Sequence, residues 1–155
     1  MIMRLSDMLK TKKISGFYTK EIREAGQRTG FSLQTFGGKK SLLSSINSKN
    51  GPKVGRYRVD VKGFEQTVLS EFTINNKDSD LYLIDEIGKM ECFSGRFIEV
   101  IKQILDGSLP LVATVALKGS GFIAEVKEHK DIELITVAAE NRDLLPSKIL
   151  RKLSI

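Results

Sequence analysis

Cysteine and histidine occur once each, as Cys92 and His129, tryptophan is absent, and only three prolines interrupt the 155 residues. A single cysteine cannot close an internal disulfide, and one cysteine with one histidine cannot supply the four ligands of a zinc site. Any metal chemistry must therefore use oxygen ligands. No apolar run approaches the ~20 residues that a membrane span requires. Arg4, Asp7 and Lys10 break up the stretch from Met1 to Lys13, which has no signal-peptide core. A cytoplasmic location is expected. The chain is 41% hydrophobic and 28% charged, the mix of one globular domain, here expected to span residues 1–155.

Acidic residues are scarce in the first part of the chain. Residues 1–60 hold 13 Lys and Arg against 4 Asp and Glu, whereas residues 61–155 hold 12 against 15. Such a basic half suits a polyphosphate or nucleic-acid surface, and suits equally a solvated lysine-rich exterior, since no aromatics interleave with the basic residues in an RNA-binding pattern.

Leu5, Met8 and Leu9 fall on one face of an expected N-terminal helix. Ile14 to Ile22 reads as a strand, and Gly30 to Phe36 as another, turning at Gly37-Gly38 into a third from Ser41 to Ile46. Ser44 to Lys53 is loop-like. Tyr57, Val59 and Val61 alternate as a short strand. A helix carrying Phe64, Val68, Leu69 and Phe72 follows, closing at Asn75 to Ser79. Phe93, Phe97, Val100, Ile101, Ile104 and Leu105 form a helical stripe that stops at Gly107 with Pro110 beyond. Leu111 to Leu117 reads as a strand, Phe122 to His129 as a helix, Ile132 to Val137 as a strand, and Ser147 to Leu153 as a last helix led by Pro146. The strand-helix alternation after residue 80 implies an α/β fold, a parallel sheet covered on both faces, with a hairpin inserted in its first half.

Between them lies Leu81-Tyr82-Leu83-Ile84-Asp85-Glu86-Ile87-Gly88-Lys89-Met90-Glu91. An apolar strand that ends in two acids delivers them to the carboxyl edge of a parallel sheet, where α/β proteins bind ligands. This is the Walker B arrangement, in which an Asp holds the Mg²⁺ shell and a neighbouring carboxylate orients or deprotonates water. Two exposed acids at a strand end would look the same. Lys89 either leans over a phosphoryl group or pairs with Glu86 or Glu91. The companion motif G-x-x-x-x-G-K-[ST] occurs nowhere. Gly37-Gly38-Lys39-Lys40-Ser41 is no substitute, because Lys40 stands where Ser or Thr belongs and a hairpin lacks the strand-to-helix geometry.

The stretch Asp85 to Glu91 resembles the signature of the small archaeal and bacterial nucleoside-triphosphatases whose vertebrate relative is called cancer-related nucleoside-triphosphatase. Four further blocks agree in order: Gly16 to Arg23 with Arg28 to Phe31, Val54 to Val61, Phe64-Glu65, and Glu140 to Asp143. The resemblance implies a RecA-like P-loop fold, a three-layer sandwich with a mostly parallel sheet, and Mg²⁺-dependent hydrolysis of ATP, GTP and other nucleoside triphosphates with loose base choice. It also implies that Met1 aligns just past the phosphate-binding loop. The first strand and the loop are then expected to be missing through a late start or a truncation, or lost in a degenerate homologue. The chain as it stands is expected to hydrolyse weakly or not at all.

On this resemblance Asp85 holds the metal, Glu86 serves the water, and Lys89 is a third catalytic candidate. The nucleotide-binding stretch comprises Leu81, Tyr82, Leu83, Ile84, Asp85, Glu86, Ile87 and Gly88. Arg23, at the carboxyl end of the first strand, is a candidate phosphate contact or half of a surface ion pair. Asn141 and Arg142 follow the last expected strand, where they reach a base or ribose or simply form a turn. The alternative reading of the whole chain is a non-catalytic nucleotide- or nucleic-acid-binding homologue.

Overall fold

The computed structural model of the chain describes residues 1–72 and 78–153. Seven strands form one sheet in the order β4-β5-β3-β2-β1-β6-β7. They are β1 (Ile14–Glu24), β2 (Gln27–Thr35), β3 (Lys40–Ser45), β4 (Lys53–Val54), β5 (Tyr57–Val59), β6 (Leu81–Ile87) and β7 (Leu111–Val115). The ladders β1–β6 and β6–β7 are parallel. The inserted hairpin β2–β3 and the short strands beyond it extend the sheet antiparallel.

Alternation along β6 splits its side chains between two cores, as a strand buried on both faces requires. Leu81 and Leu83 meet Ile2, Leu5 and Leu9 of the α1 (Ile2–Met8) region, with Ile149, Leu150 and Leu153 of α5 (Leu145–Leu153) against them. Tyr82, Ile84 and Ile87 face the larger core under α2 (Val61–Val68), α3 (Gly95–Leu105) and α4 (Phe122–Glu128). The result is helices, sheet, helices: the expected α/β sandwich. Phe17 sits at its centre, edge-on to Phe64 at 5.6 Å and to Phe97 at 5.8 Å. Each such pair adds about 0.5–1.5 kcal/mol beyond the area it buries.

Local chemistry sets the helix starts that frame the site. Asp60 caps α2, accepting from the Gly63 N–H at 2.9 Å. Ser94 caps α3, accepting from the Phe97 N–H at 3.0 Å while donating to Glu65 at 2.7 Å, so one hydroxyl ties α3 to α2. Caps of this kind contribute about 1 kcal/mol each.

Four expectations need correction. Ile2, not Met8, completes the buried face of α1, and Met8 is exposed. Val61 opens α2 instead of ending β5, because the Asp60 cap has already started the helix. Phe93 lies in a 3₁₀ turn, Glu91–Phe93, and faces solvent. Finally, residues 132–137 form no strand, and Leu134, Ile135 and Val137 are exposed. β-propensity is realised only against a neighbouring strand, and no described strand pairs with this segment. The helix stop expected at Asn75 to Ser79 falls largely outside the described residues. Among the described residues no helix is long and apolar enough to cross a membrane.

Candidate active site

The parallel register pairs Phe17 with Ile84 and Tyr18 with Asp85, so β6 runs out of core beside β1 just where its sequence turns acidic. The β6–β7 ladder is irregular between Ile84 and Ile87. Such irregularities re-aim side chains at functional edges, and here they release Asp85 and Glu86 from the ladder. Both acids line a cavity of about 300 Å³ with Thr19 of β1, Phe31 of β2, Lys89, Glu91 and Lys118.

Asp85 is half-buried, and its Oδ1 accepts a 2.6 Å hydrogen bond from Thr114 Oγ1 on β7. That bond fixes the carboxylate, and its second oxygen has no hydrogen-bond partner among the described residues. Glu86 is more exposed, yet partial burial and the neighbouring Asp85 charge raise its carboxyl above the usual range. A carboxylate so placed is a better proton acceptor near neutral pH than a free one.

Glu91 is the outlier. Only 4% of the residue is exposed, and burial, with the charges of Glu86 and Asp85, raises its carboxyl to about 7 against the pull of backbone N–H groups at Gly88 and Glu91. Next to it, burial and the Glu91 charge push the Cys92 thiol up to about 11, which leaves no thiolate for nucleophilic work. Lys89 is exposed and, among the described residues, forms no ion pair with Glu86 or Glu91.

A stability prediction follows from Glu91. Its folded carboxyl titrates at about 7 against an ordinary value of 4.5. Between those values the unfolded chain loses a proton that the folded chain keeps. Stability therefore falls as pH rises from 4.5 to 7, by roughly 3 kcal/mol, and stays flat above. Glu91→Gln should remove that slope, so denaturant midpoints measured at pH 5 and pH 8 should differ less than in the wild type. Equal slopes would disprove it.

The remaining candidates lie elsewhere. The side chains of Leu81, Tyr82, Leu83, Ile84 and Ile87 are in the two cores and line no part of this cavity. Arg23 is exposed and paired with Glu21 at 2.7 Å. Asn141 spends both ends of its amide inside its own turn, donating to the Thr136 carbonyl at 2.8 Å and accepting from the Ala138 N–H at 2.9 Å. Arg142 is exposed. Of the basic residues of the first half, Arg28 donates to Glu21 and to the Tyr57 hydroxyl and stacks over Phe31. The sequence assigns no site role to Thr114, and marks Glu91 only as the end of the Asp85 to Glu91 signature and a possible partner of Lys89. A lone threonine near the end of an apolar strand was the only signal for the first, and nothing local marks the second as buried.

The chain as a whole is similar to several known proteins. The family model described as NTPase matches residues 1–150. Nucleoside-triphosphatase THEP1 of Thermotoga sp. (strain RQ2) is 34% identical over 150 residues, covering 97% of this chain and 85% of that protein. Human cancer-related nucleoside-triphosphatase is 35% identical over 164 residues, covering 94% and 85%. The crystal structure of THEP1 from the hyperthermophile Aquifex aeolicus superposes with a TM-score of 0.87 at 31% identity, over 99% of this chain and 92% of that one.

Proposed function

Since the chain belongs to the NTPase family of nucleoside-triphosphatases, we propose that its own site cleaves the β–γ phosphoanhydride of ATP, GTP and similar nucleotides, with Glu86 acting on water and Asp85 on metal. The observation that carries this reading is the release of Asp85 and Glu86 from the β6–β7 ladder into one cavity, with Asp85 locked by Thr114.

The donor set suits Mg²⁺. Among the described residues no group of three or more His, Cys, Asp or Glu could hold a metal alone. Mg²⁺ keeps most of its waters and binds through one or two carboxylates together with substrate phosphates. The free oxygen of Asp85 would serve it, directly or through water. When bound, the ion would neutralise charge developing on the phosphate oxygens. Glu86 holds a water and takes its proton as that oxygen attacks phosphorus. Lys89, with no acid partner among the described residues, is free to meet the transferred phosphoryl group. Arg23, Asn141 and Arg142 would contact phosphate, base or ribose only by leaving their present partners or by reaching in from outside the cavity.

Full activity needs a phosphate cradle, and β7 has room for one. It is an edge strand whose outer side pairs with no described strand, and every one of its residues is only half-buried. Exposed edges of this kind recruit another strand. A strand carrying G-x-x-x-x-G-K-[ST] would pair there and offer residues 132–137 a neighbour in turn.

The test compares Mg²⁺-dependent phosphate release from ATP and GTP by the 155-residue chain and by a chain extended with a strand and loop of that kind. Turnover on the order of 1 s⁻¹ or less is expected from the extended chain, at the low end of enzyme rates, and little from the short one. No Mg²⁺-dependent release by the extended chain would overturn the proposal. Robust turnover by the short chain would overturn the need for the loop.

A further inference from the structure

The aromatic and basic residues of the first half do not alternate along the chain, yet the sheet brings several of them together. Strands β2 and β5 both pair with β3, and Phe31 of β2 meets Tyr57 of β5 edge to face at 5.4 Å. Two guanidiniums cover these rings. That of Arg28 lies 5.2 Å from the centre of Phe31 and 5.8 Å from that of Tyr57, and that of Arg56 lies 5.4 Å from the centre of Tyr57. Tyr57 is the brace. It is 7% exposed, and its hydroxyl accepts from Arg28 Nε at 2.9 Å and from Arg56 Nε at 3.4 Å. Arg56 Nη2 also donates to the Arg28 carbonyl. Rings and hydrogen bonds thus hold two cations side by side before any ligand arrives.

The cluster is short of negative charge. Arg28 Nη1 donates to Glu21 at 2.8 Å, and the same carboxylate holds Nε and Nη2 of Arg23. Arg23 spends its last nitrogen, Nη1, on the Gly26 carbonyl at 3.2 Å. Three guanidiniums therefore draw on one acid, and among the described residues Arg56 forms no ion pair at all. Arg28 Nη2 and Arg56 Nη1 have no hydrogen-bond partner among the described residues, and both residues are exposed. Like charges held this close repel each other, and an anion that takes an N–H from each reverses the sign of that interaction. The planar fork of a guanidinium matches the oxygens of a phosphate.

We propose that Arg28 and Arg56, braced on the buried Tyr57, form a phosphate-binding subsite outside the cavity of Asp85 and Glu86. Neither arginine lines that cavity, but Phe31 does, and the same ring carries the Arg28 guanidinium, so the two sites adjoin across one side chain. No step of hydrolysis passes through the subsite, and its existence is independent of whether Asp85 and Glu86 cleave nucleotides. Two sources supply the chemistry. One is a free oligophosphate. The other is the backbone of a single-stranded nucleic acid, which the surplus of 13 Lys and Arg over 4 Asp and Glu in residues 1–60 would attract. For such a strand the outer face of each guanidinium also offers a plane on which an unpaired base stacks.

The test uses the 155-residue chain without Mg²⁺, so that no metal draws phosphate to Asp85. Inorganic tripolyphosphate and a short oligothymidine are titrated in turn at low salt while the Nε–H resonances of Arg28 and Arg56 are followed by ¹H–¹⁵N NMR. Both resonances should shift along one saturable curve. Shifts with oligothymidine that tripolyphosphate reverses identify a nucleic-acid backbone as the occupant, and shifts with tripolyphosphate alone identify a free oligophosphate. Shifts with neither, or shifts elsewhere in the chain that leave these two resonances unmoved, overturn the proposal.

Three variants separate a binding role from a structural one. Arg56→Gln leaves Arg28, Glu21 and Tyr57 in place and should weaken binding about tenfold, the loss of one hydrogen bond to a charged group. For oligothymidine it should also lower the slope of log affinity against log salt by about one. Wild-type affinity in this variant overturns the proposal. Glu21→Gln tests the sign: Glu21 competes with the anion for Arg28, so removing its charge should tighten binding about threefold, whereas a cluster that serves only to hold the strands together would gain nothing. Equal or weaker binding overturns the part given to Arg28. Lys89→Ala removes the unpaired lysine of the neighbouring cavity and should change the affinity by less than about twofold, as a site that shares no partner with the subsite. A loss as large as that of Arg56→Gln would put the anion in the cavity and overturn the separate subsite.

Discussion

Glu86→Gln should lower kcat for nucleoside-triphosphate hydrolysis by about 10²- to 10⁴-fold, the range that a positioned acid or base contributes. Glutamine matches glutamate in length and shape and still hydrogen-bonds a water, but it cannot accept the proton. Ground-state binding of the nucleotide does not use that proton, so KM should change little; a loss confined to kcat marks an interaction made in the transition state. The pH profile gives an independent reading. Glu86 is held above the ordinary carboxylate range, so wild-type rates should fall on the acid side sooner than a free glutamate would dictate, and the variant should lack that limb. Single-turnover phosphate release with saturating Mg²⁺ separates chemistry from product release. A variant within threefold of wild type would remove Glu86 from the mechanism.

The largest effect on folding is expected at a residue with no side chain. Gly16 lies in β1 with φ +131°, and a Cβ there would stand 1.9 Å from the Leu83 carbonyl oxygen of β6. That oxygen is backbone inside a parallel ladder flanked by Ser15–Tyr82 and Phe17–Ile84, and it cannot move without opening the sheet. Gly16→Ala should therefore cost about 4 kcal/mol or more, the exceptional end of single substitutions. A typical domain is stable by about 5–15 kcal/mol in all. Urea midpoints followed by far-ultraviolet circular dichroism should drop by more than a third, or the variant should fail to fold at 25 °C. A midpoint equal to wild type would show that β1 and β6 do not approach as described. The site would suffer before the fold is lost, because the same register sets Asp85 beside Tyr18.

Some of this was readable along the chain and some was not, for identifiable reasons. The strand Leu81 to Ile87 was legible because an uninterrupted apolar run has few other uses and its ending in two acids is a local event. The helix α3 was legible because Phe97, Ile101 and Ile104 repeat at the helical period and all three are buried. Met8 and Phe93 misled because hydrophobicity marks a residue that can be buried, and the available neighbours decide whether it is. Residues 132–137 misled in the same way: they have the composition of a strand, but a ladder needs two sides, and the second side is a property of the sheet.

The active site divides along the same line. Asp85, Glu86 and Gly88 fall within four residues, so their order alone made them candidates for a metal and water station, and five ordered blocks of similarity sufficed to place the chain in its family. Thr114 and Glu91 belong to that station only in three dimensions. Thr114 is brought to Asp85 by the pairing of β6 with β7, and Glu91 is turned inward by a 3₁₀ turn packed beneath α2 and α3. Covalent order sets which groups exist and which local elements they favour. Burial, electric field and the meeting of residues far apart in the chain are collective quantities, and they exist only once the sheet has closed over its two cores.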